Sequence, residues 1–133
     1  MSQSPIGTAK PDLDTPALCL DIEAVEANIK RMADLFRDGP VRLRPHAKTH
    51  KSPILAQMQL AAGAIGITCA KLGEAEVLAA AGIKDILIAK QITGAGKIAR
   101  LVNLAGYTEV MVAVDDAANV AEFETMMAEM LKA

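Results

Sequence analysis

Between Arg44 and Lys51 the chain reads Arg-Pro-His-Ala-Lys-Thr-His-Lys, and both of its histidines and three of its cations fall inside that stretch. Clustered positive charge is costly unless an anion offsets it, and a phosphate-bearing ligand is a natural candidate. Neighbouring cations also favour the neutral form of a lysine amine, the nucleophile of Schiff-base chemistry. The plainer account is a solvated basic loop, and the residues alone leave both accounts open. No metal site is expected here, because the two His share one segment with no suitable carboxylate partner. Gly94-Ala95-Gly96 is a lone G-x-G, better read as a flexible helix entry than as a phosphate loop.

Any such chemistry needs elements to position it. In Val41–Lys48 the alternation of an extended chain puts Val41, Leu43, Pro45 and Ala47 on one face, with Arg42, Arg44, His46 and Lys48 on the other. Strands are expected at Ala17–Asp21, Val41–His46, Ala64–Cys69, Asp85–Ala89 and Glu109–Val114. From Val41 onward the strand starts lie 21 to 24 residues apart. Helices fill the intervals. One follows Asp21 as its cap, with apolar positions Val25, Ile29, Met32 and Phe36. The others are Ser52–Ala62, Gly73–Ala81, Gly94–Ala105 and Ala117 onward, the last capped by Asp115 or Asp116. Gly63, Gly82 and Gly106 stand where three of them should stop.

Strands alternating with helices imply βαβ units and a parallel sheet. Two α/β architectures fit: a doubly wound open sheet, or part of a (β/α)8 TIM-type barrel with about four βα units present. A one-sided strand such as 41–48 suits a barrel, helices outside and lumen inside. It equally suits an edge strand with one solvated face. Residues 1–14 read as an extended leader and 15–133 as the barrel portion. A whole barrel takes about 200 residues or more, so the 133-residue chain reads as a piece of a longer protein.

Composition narrows the class. The chain is 52% hydrophobic but only 2% aromatic, with a net charge of −2; the core must be Ala, Leu, Ile, Val and Met. No basic stripe with interleaved aromatics suggests nucleic-acid binding. Pro53, Gly63 and Gly66 break the longest uncharged stretch, Ser52–Ala70, so no membrane span is expected. Cys19 and Cys69 read as two buried, reduced thiols of a cytoplasmic protein.

The segment Arg44–Lys51 resembles the cofactor-lysine segment of the D-threonine aldolase and D-serine dehydratase family. These are fold-type III pyridoxal-phosphate enzymes whose barrel is similar to the N-terminal domain of alanine racemase. The resemblance extends over Thr15–Ile29 (TPALCLDIEAVEANI), Ala61–Ala89 (AAGAIGITCAKLGEAEVLAAAGIKDILIA) and Gly96–Leu101 (GKIARL). It implies that Lys48 carries pyridoxal 5'-phosphate covalently and is the catalytic residue. His46 would lie beside the cofactor and Arg44 deeper in the barrel, the two completing the cofactor-binding set. His50 and Lys51 are left to the loop. Ala70 departs from the Gln of some aldolases, and Lys90-Gln91 from the Asn-Glu of several.

The resemblance further implies a lyase of D-β-hydroxy amino acids. It points to a lyase over a racemase because Thr49-His50-Lys51 replaces the Tyr-Gly-His type segment of racemases, and aldol cleavage of D-threonine to glycine and acetaldehyde stands slightly ahead of dehydration on the Cys69-Ala70-Lys71 and Gly73-Glu74-Ala75-Glu76 stretch. A divalent metal (Mn, Mg or Zn) is expected only in a full-length enzyme, whose ligands lie beyond this sequence. The implied partner is a small D-amino acid, and open sheet edges make a homo-oligomer an expected association. The rival readings are a pyridoxal-phosphate-binding barrel without turnover, and a truncated chain that cannot fold alone.

Overall fold

The computed structural model describes residues 5–132. Its elements run α1 (Ile22–Phe36), α2 (Pro53–Ala61), β1 (Ile67–Cys69), α3 (Leu72–Ala80), β2 (Asp85–Ile88), α4 (Ala95–Ala105), β3 (Glu109–Val112) and α5 (Ala117–Met130). The three strands form one parallel sheet in the order β1-β2-β3. Each is joined to the next by a helix, so the architecture is α/β, matching part of a (β/α)8 barrel.

The helix boundaries follow from local chemistry. Asp21 caps α1 by accepting from the Ala24 backbone N–H at 3.1 Å, and Ser52 caps α2, with Pro53 in the first turn where no N–H is missed. Asp116, not Asp115, caps α5. Gly82 ends the α3 turn with φ +89, a left-handed conformation that glycine adopts freely. Gly106 follows α4 with φ −68, so that helix stops without the left-handed turn.

The core lies between the sheet and α2, α3 and α4. Ile67, Cys69, Ile86 and Ile88 are fully buried and project from the strands toward the helices. Ala56, Leu78, Ile98 and Leu104 meet them from the helix side. Burying each large aliphatic side chain is worth about 1.5–3 kcal/mol. Alternate positions face the opposite way: Leu87 is half-buried and Met111 is 44% exposed. In a (β/α)8 barrel this second face is the lumen side.

Four expectations need correction. Ala17–Asp21 is not a strand but exposed coil, with Leu18 95% exposed; among the described residues no strand pairs with its backbone. Val41–His46 is reduced to a single parallel bridge, His46 with Thr68. Pro45 has no N–H to give the ladder, which interrupts the pairing. The leader holds a 3-10 turn at Lys10–Asp12, while residues 1–4 lie outside the described residues. Cys19 is exposed; only Cys69 is buried.

Candidate active site

The 43–47 segment runs beside β1 without becoming a regular strand. Thr68 N–H donates to the Pro45 carbonyl at 2.8 Å, and Ala47 N–H donates to the Thr68 carbonyl at 2.8 Å. That pairing delivers the chain to the C-terminal edge of the sheet, where parallel α/β folds build their sites. There the chain turns. Lys51 N–H closes back on the Ala47 carbonyl at 2.8 Å, and Lys51 takes a left-handed φ of +50, uncommon for a residue with a side chain.

Lys48 stands on this turn, past the end of the 43–47 segment, and its side chain is exposed. Among the described residues its ammonium group has no hydrogen-bond or ion-pair partner. The His46 ring accepts the Lys48 backbone N–H at Nδ1, 3.2 Å away. His46 and Lys48 are therefore brought together, by the turn as much as by strand alternation. Because Nδ1 accepts, the proton of the neutral ring sits on Nε2.

His50 repeats the arrangement. Its Nδ1 accepts the Ser52 backbone N–H at 3.0 Å, and its Nε2 is buried with no partner. A buried N–H without an acceptor costs about 1–3 kcal/mol. The sequence places His50 in the loop or helix entry; its buried, unpartnered Nε2 is a reason to count it near the site.

Arg44 goes elsewhere. Its guanidinium makes a bidentate ion pair with Asp85, Nη1 to Oδ1 at 2.6 Å and Nη2 to Oδ2 at 3.0 Å. The pair lies at the N-terminal end of β2, well below Lys48, with side chains 16% and 31% exposed. Sequence reasoning did not single out Asp85. An acid opening a buried parallel strand is a usable signal, since such a charge needs a partner.

Glu74 was missed as well. Its Oε2 accepts the Ala70 backbone N–H at 2.9 Å, and Oε1 lies 3.7 Å from Lys51 Nζ. One carboxylate thus ties the turn after β1 to the turn bearing Lys48. Beyond it, the loops after β1 and β2 frame a cleft of about 380 Å³ lined by Ala70, Lys71, Lys90 and Lys97. Among the described residues no group of three or more His, Cys, Asp or Glu could hold a metal ion.

The pattern described as "Alanine racemase, N-terminal domain" matches residues 20–132, nearly the whole of the described chain. The chain belongs to the alanine racemase N-terminal domain family. Within this family its relatives include lyases of D-hydroxy amino acids. It is 44% identical to a D-threonine aldolase of Arthrobacter sp. over 117 residues, 88% of this chain and 31% of that protein. It is 52% identical to the D-threo-3-hydroxyaspartate dehydratase of Delftia sp. (strain HT23) over 77 residues, 58% of this chain and 20% of that protein. The crystal structure of the D-threonine aldolase from Filomicrobium marinum superposes with a TM-score of 0.86 at 44% identity, over 89% of this chain and 32% of that one. The chain therefore spans about a third or less of the length of these relatives.

Proposed function

We propose that this chain is the cofactor-lysine portion of a pyridoxal-phosphate-dependent lyase acting on D-β-hydroxy amino acids, of the D-threonine aldolase type. The observation that carries the reading is the placement of Lys48. Its amine is exposed, unpartnered among the described residues, and seated at the C-terminal end of a parallel sheet in this family. The residues present fit the cofactor. Lys48 would hold it covalently, and His46 stands beside that lysine. The buried Nε2–H of His50 is a donor in want of an acidic oxygen.

When bound, pyridoxal phosphate supplies an electron sink for charge developing at the substrate α-carbon. The chain's own residues do the rest. His46 Nδ1 fixes the backbone of Lys48, and the turn closed between Ala47 and Lys51 aims its side chain. A free Lys48 amine would be a base able to move a proton at the α-carbon or β-hydroxyl of the substrate. Arg44, taken from sequence as part of the cofactor set, supports it from below through Asp85. A divalent metal belongs to the full-length enzyme, with ligands outside this chain.

Borohydride reduction with pyridoxal phosphate, followed by peptide mapping, is expected to put the label on Lys48; label on Lys51, or spread over several lysines, overturns the assignment. A full-length enzyme containing this segment should release glycine and acetaldehyde from D-threonine with a divalent cation. The similarity to a dehydratase supports a second reading, whose products would be ammonia and a 2-oxo acid. Preference for L-threonine would refute both. We also place the protein in the cytoplasm with a D-amino acid as its partner. In the described part no helix is long and apolar enough to cross a membrane.

A further inference from the structure

We propose that Arg44, Gly66 and Asp85 form a clamp that sets the position of Lys48, with Asp85 as a positioning residue. The inference rests on reading Lys48 as the reacting amine.

The segment that ends in Lys48 is weakly laddered. The β2–β3 pairing has four registered pairs and β1–β2 has three. The 43–47 segment has one bridge. Its contacts are also out of step. The carbonyls of Leu43 and Pro45, two residues apart, accept from the N–H groups of Ile65 and Thr68, three residues apart, at 3.0 and 2.8 Å. One extra residue is therefore accommodated on the β1 side, at a bulge that contains Gly66. Main-chain bonding of this kind leaves the register of the segment under-determined.

The side chains supply what the backbone lacks. Arg44 reaches across Gly66 to Asp85 on the next strand, with both prongs on the carboxylate and Nη1 also 3.4 Å from the Asp85 carbonyl. A Cβ on residue 66 would stand 2.0 Å from Arg44 Nη1 and 2.7 Å from the Asp85 carbonyl oxygen. Only glycine leaves this passage open. The fork geometry fixes the plane of the guanidinium as well as its distance. Arg44 precedes Lys48 by four residues, the chain running alongside β1 as far as the turn that begins at Ala47. The clamp thus anchors the lower end of the segment whose upper end presents the amine. Since β2 and β3 pair fully without it, its loss should be felt locally.

The test is amide hydrogen exchange on the full chain, comparing Asp85→Asn, Gly66→Ala and Arg44→Lys with the parent. Asp85→Asn and Gly66→Ala should speed exchange at Ala47 and Lys51 by about tenfold. Glu109 and Ala113, whose amides bond across β2–β3, should keep their rates within about twofold. Arg44→Lys retains charge but not the fork and should shift exchange in the same direction by less; it carries the test if Asp85→Asn fails to fold. Pyridoxal-phosphate labelling of Lys48 should fall in parallel and spread toward Lys51. Uniform speeding over the whole sheet would reduce the trio to a general stability role and overturn the proposal, as would unchanged rates at Ala47 and Lys51. Labelling of the parent elsewhere than Lys48, with the exchange pattern as expected, would defeat the cofactor reading and leave the clamp standing.

Discussion

Burial pushes the Cys69 thiol up to about 11 from an ordinary 9.0, with the Glu74 carboxylate adding to the shift. A neutral thiol reacts poorly, because the thiolate is the nucleophile. Cys19 is exposed. At pH 8 the native chain should consume one equivalent of a thiol reagent at Cys19, and the second only after denaturation. Equal reaction of both thiols in the folded chain would contradict the burial. The sign of the linkage also follows. With the folded value raised, the stability tied to the neutral Cys69 thiol is intact below pH 9, and is lost as pH rises toward 11 while the unfolded chain ionises first. Denaturation midpoints should therefore fall above pH 9, and a Cys69→Ala or Cys69→Ser variant should lose that part of the pH dependence.

Among the elements, α1 is the one most dependent on its own ends. It has no fully buried residue; Val25, Ile29 and Phe36 are half-buried and Met32 is 45% exposed. Packing contributes less there than in α3 or α4, so the Asp21 cap matters more. Asp21→Ala should cost about 1 kcal/mol in chemical denaturation, and Gly82→Ala, which forces a side chain into positive φ, should cost about 1 kcal/mol or more. Unchanged midpoints in both would show that neither terminus constrains the fold. The helices were legible because caps and apolar spacing are local signals: Asp21, Ser52 and Gly82 act where the sequence puts them. The first strand was less so. Val41–His46 alternates as a strand should, yet Pro45 withholds a donor and Gly66 on its neighbour introduces a bulge, and both effects depend on the pairing partner.

At the scale of the molecule, a sheet edge and an apolar groove stand open among the described residues. β3 is the terminal strand of the order β1-β2-β3, so one side of its backbone lacks a strand partner in this sheet. Beside it, α4, β3 and α5 enclose an apolar groove of about 620 Å³ lined by Val110, Val112, Phe123, Met127 and Leu131. An unpaired parallel edge next to exposed apolar surface favours association. Sedimentation of the chain should show a mass that rises with concentration, and pyridoxal phosphate should bind it more weakly than it binds complete enzymes of this family. A concentration-independent monomer with tight cofactor binding would show that this portion is self-sufficient.

By itself the sequence determined the α/β class of the fold and the helix order, both from local information: periodicity and capping residues. The cations and histidines of Arg44–Lys51 drew attention to one segment, and it is the family resemblance that singles out Lys48 within it. The partnerships were decided only by tertiary structure. Arg44 meets Asp85, 41 residues away along the chain, because the sheet places their strands one apart with a glycine between them. Glu74 reaches the turn of Lys51 because β1 lies beside the 43–47 segment. Cys19, apolar in its neighbourhood along the chain, is exposed because among the described residues no element covers it. Pairing of charges and burial of side chains depend on which segments become neighbours, and neighbours in space are set by the packing of the whole sheet rather than by any window of residues.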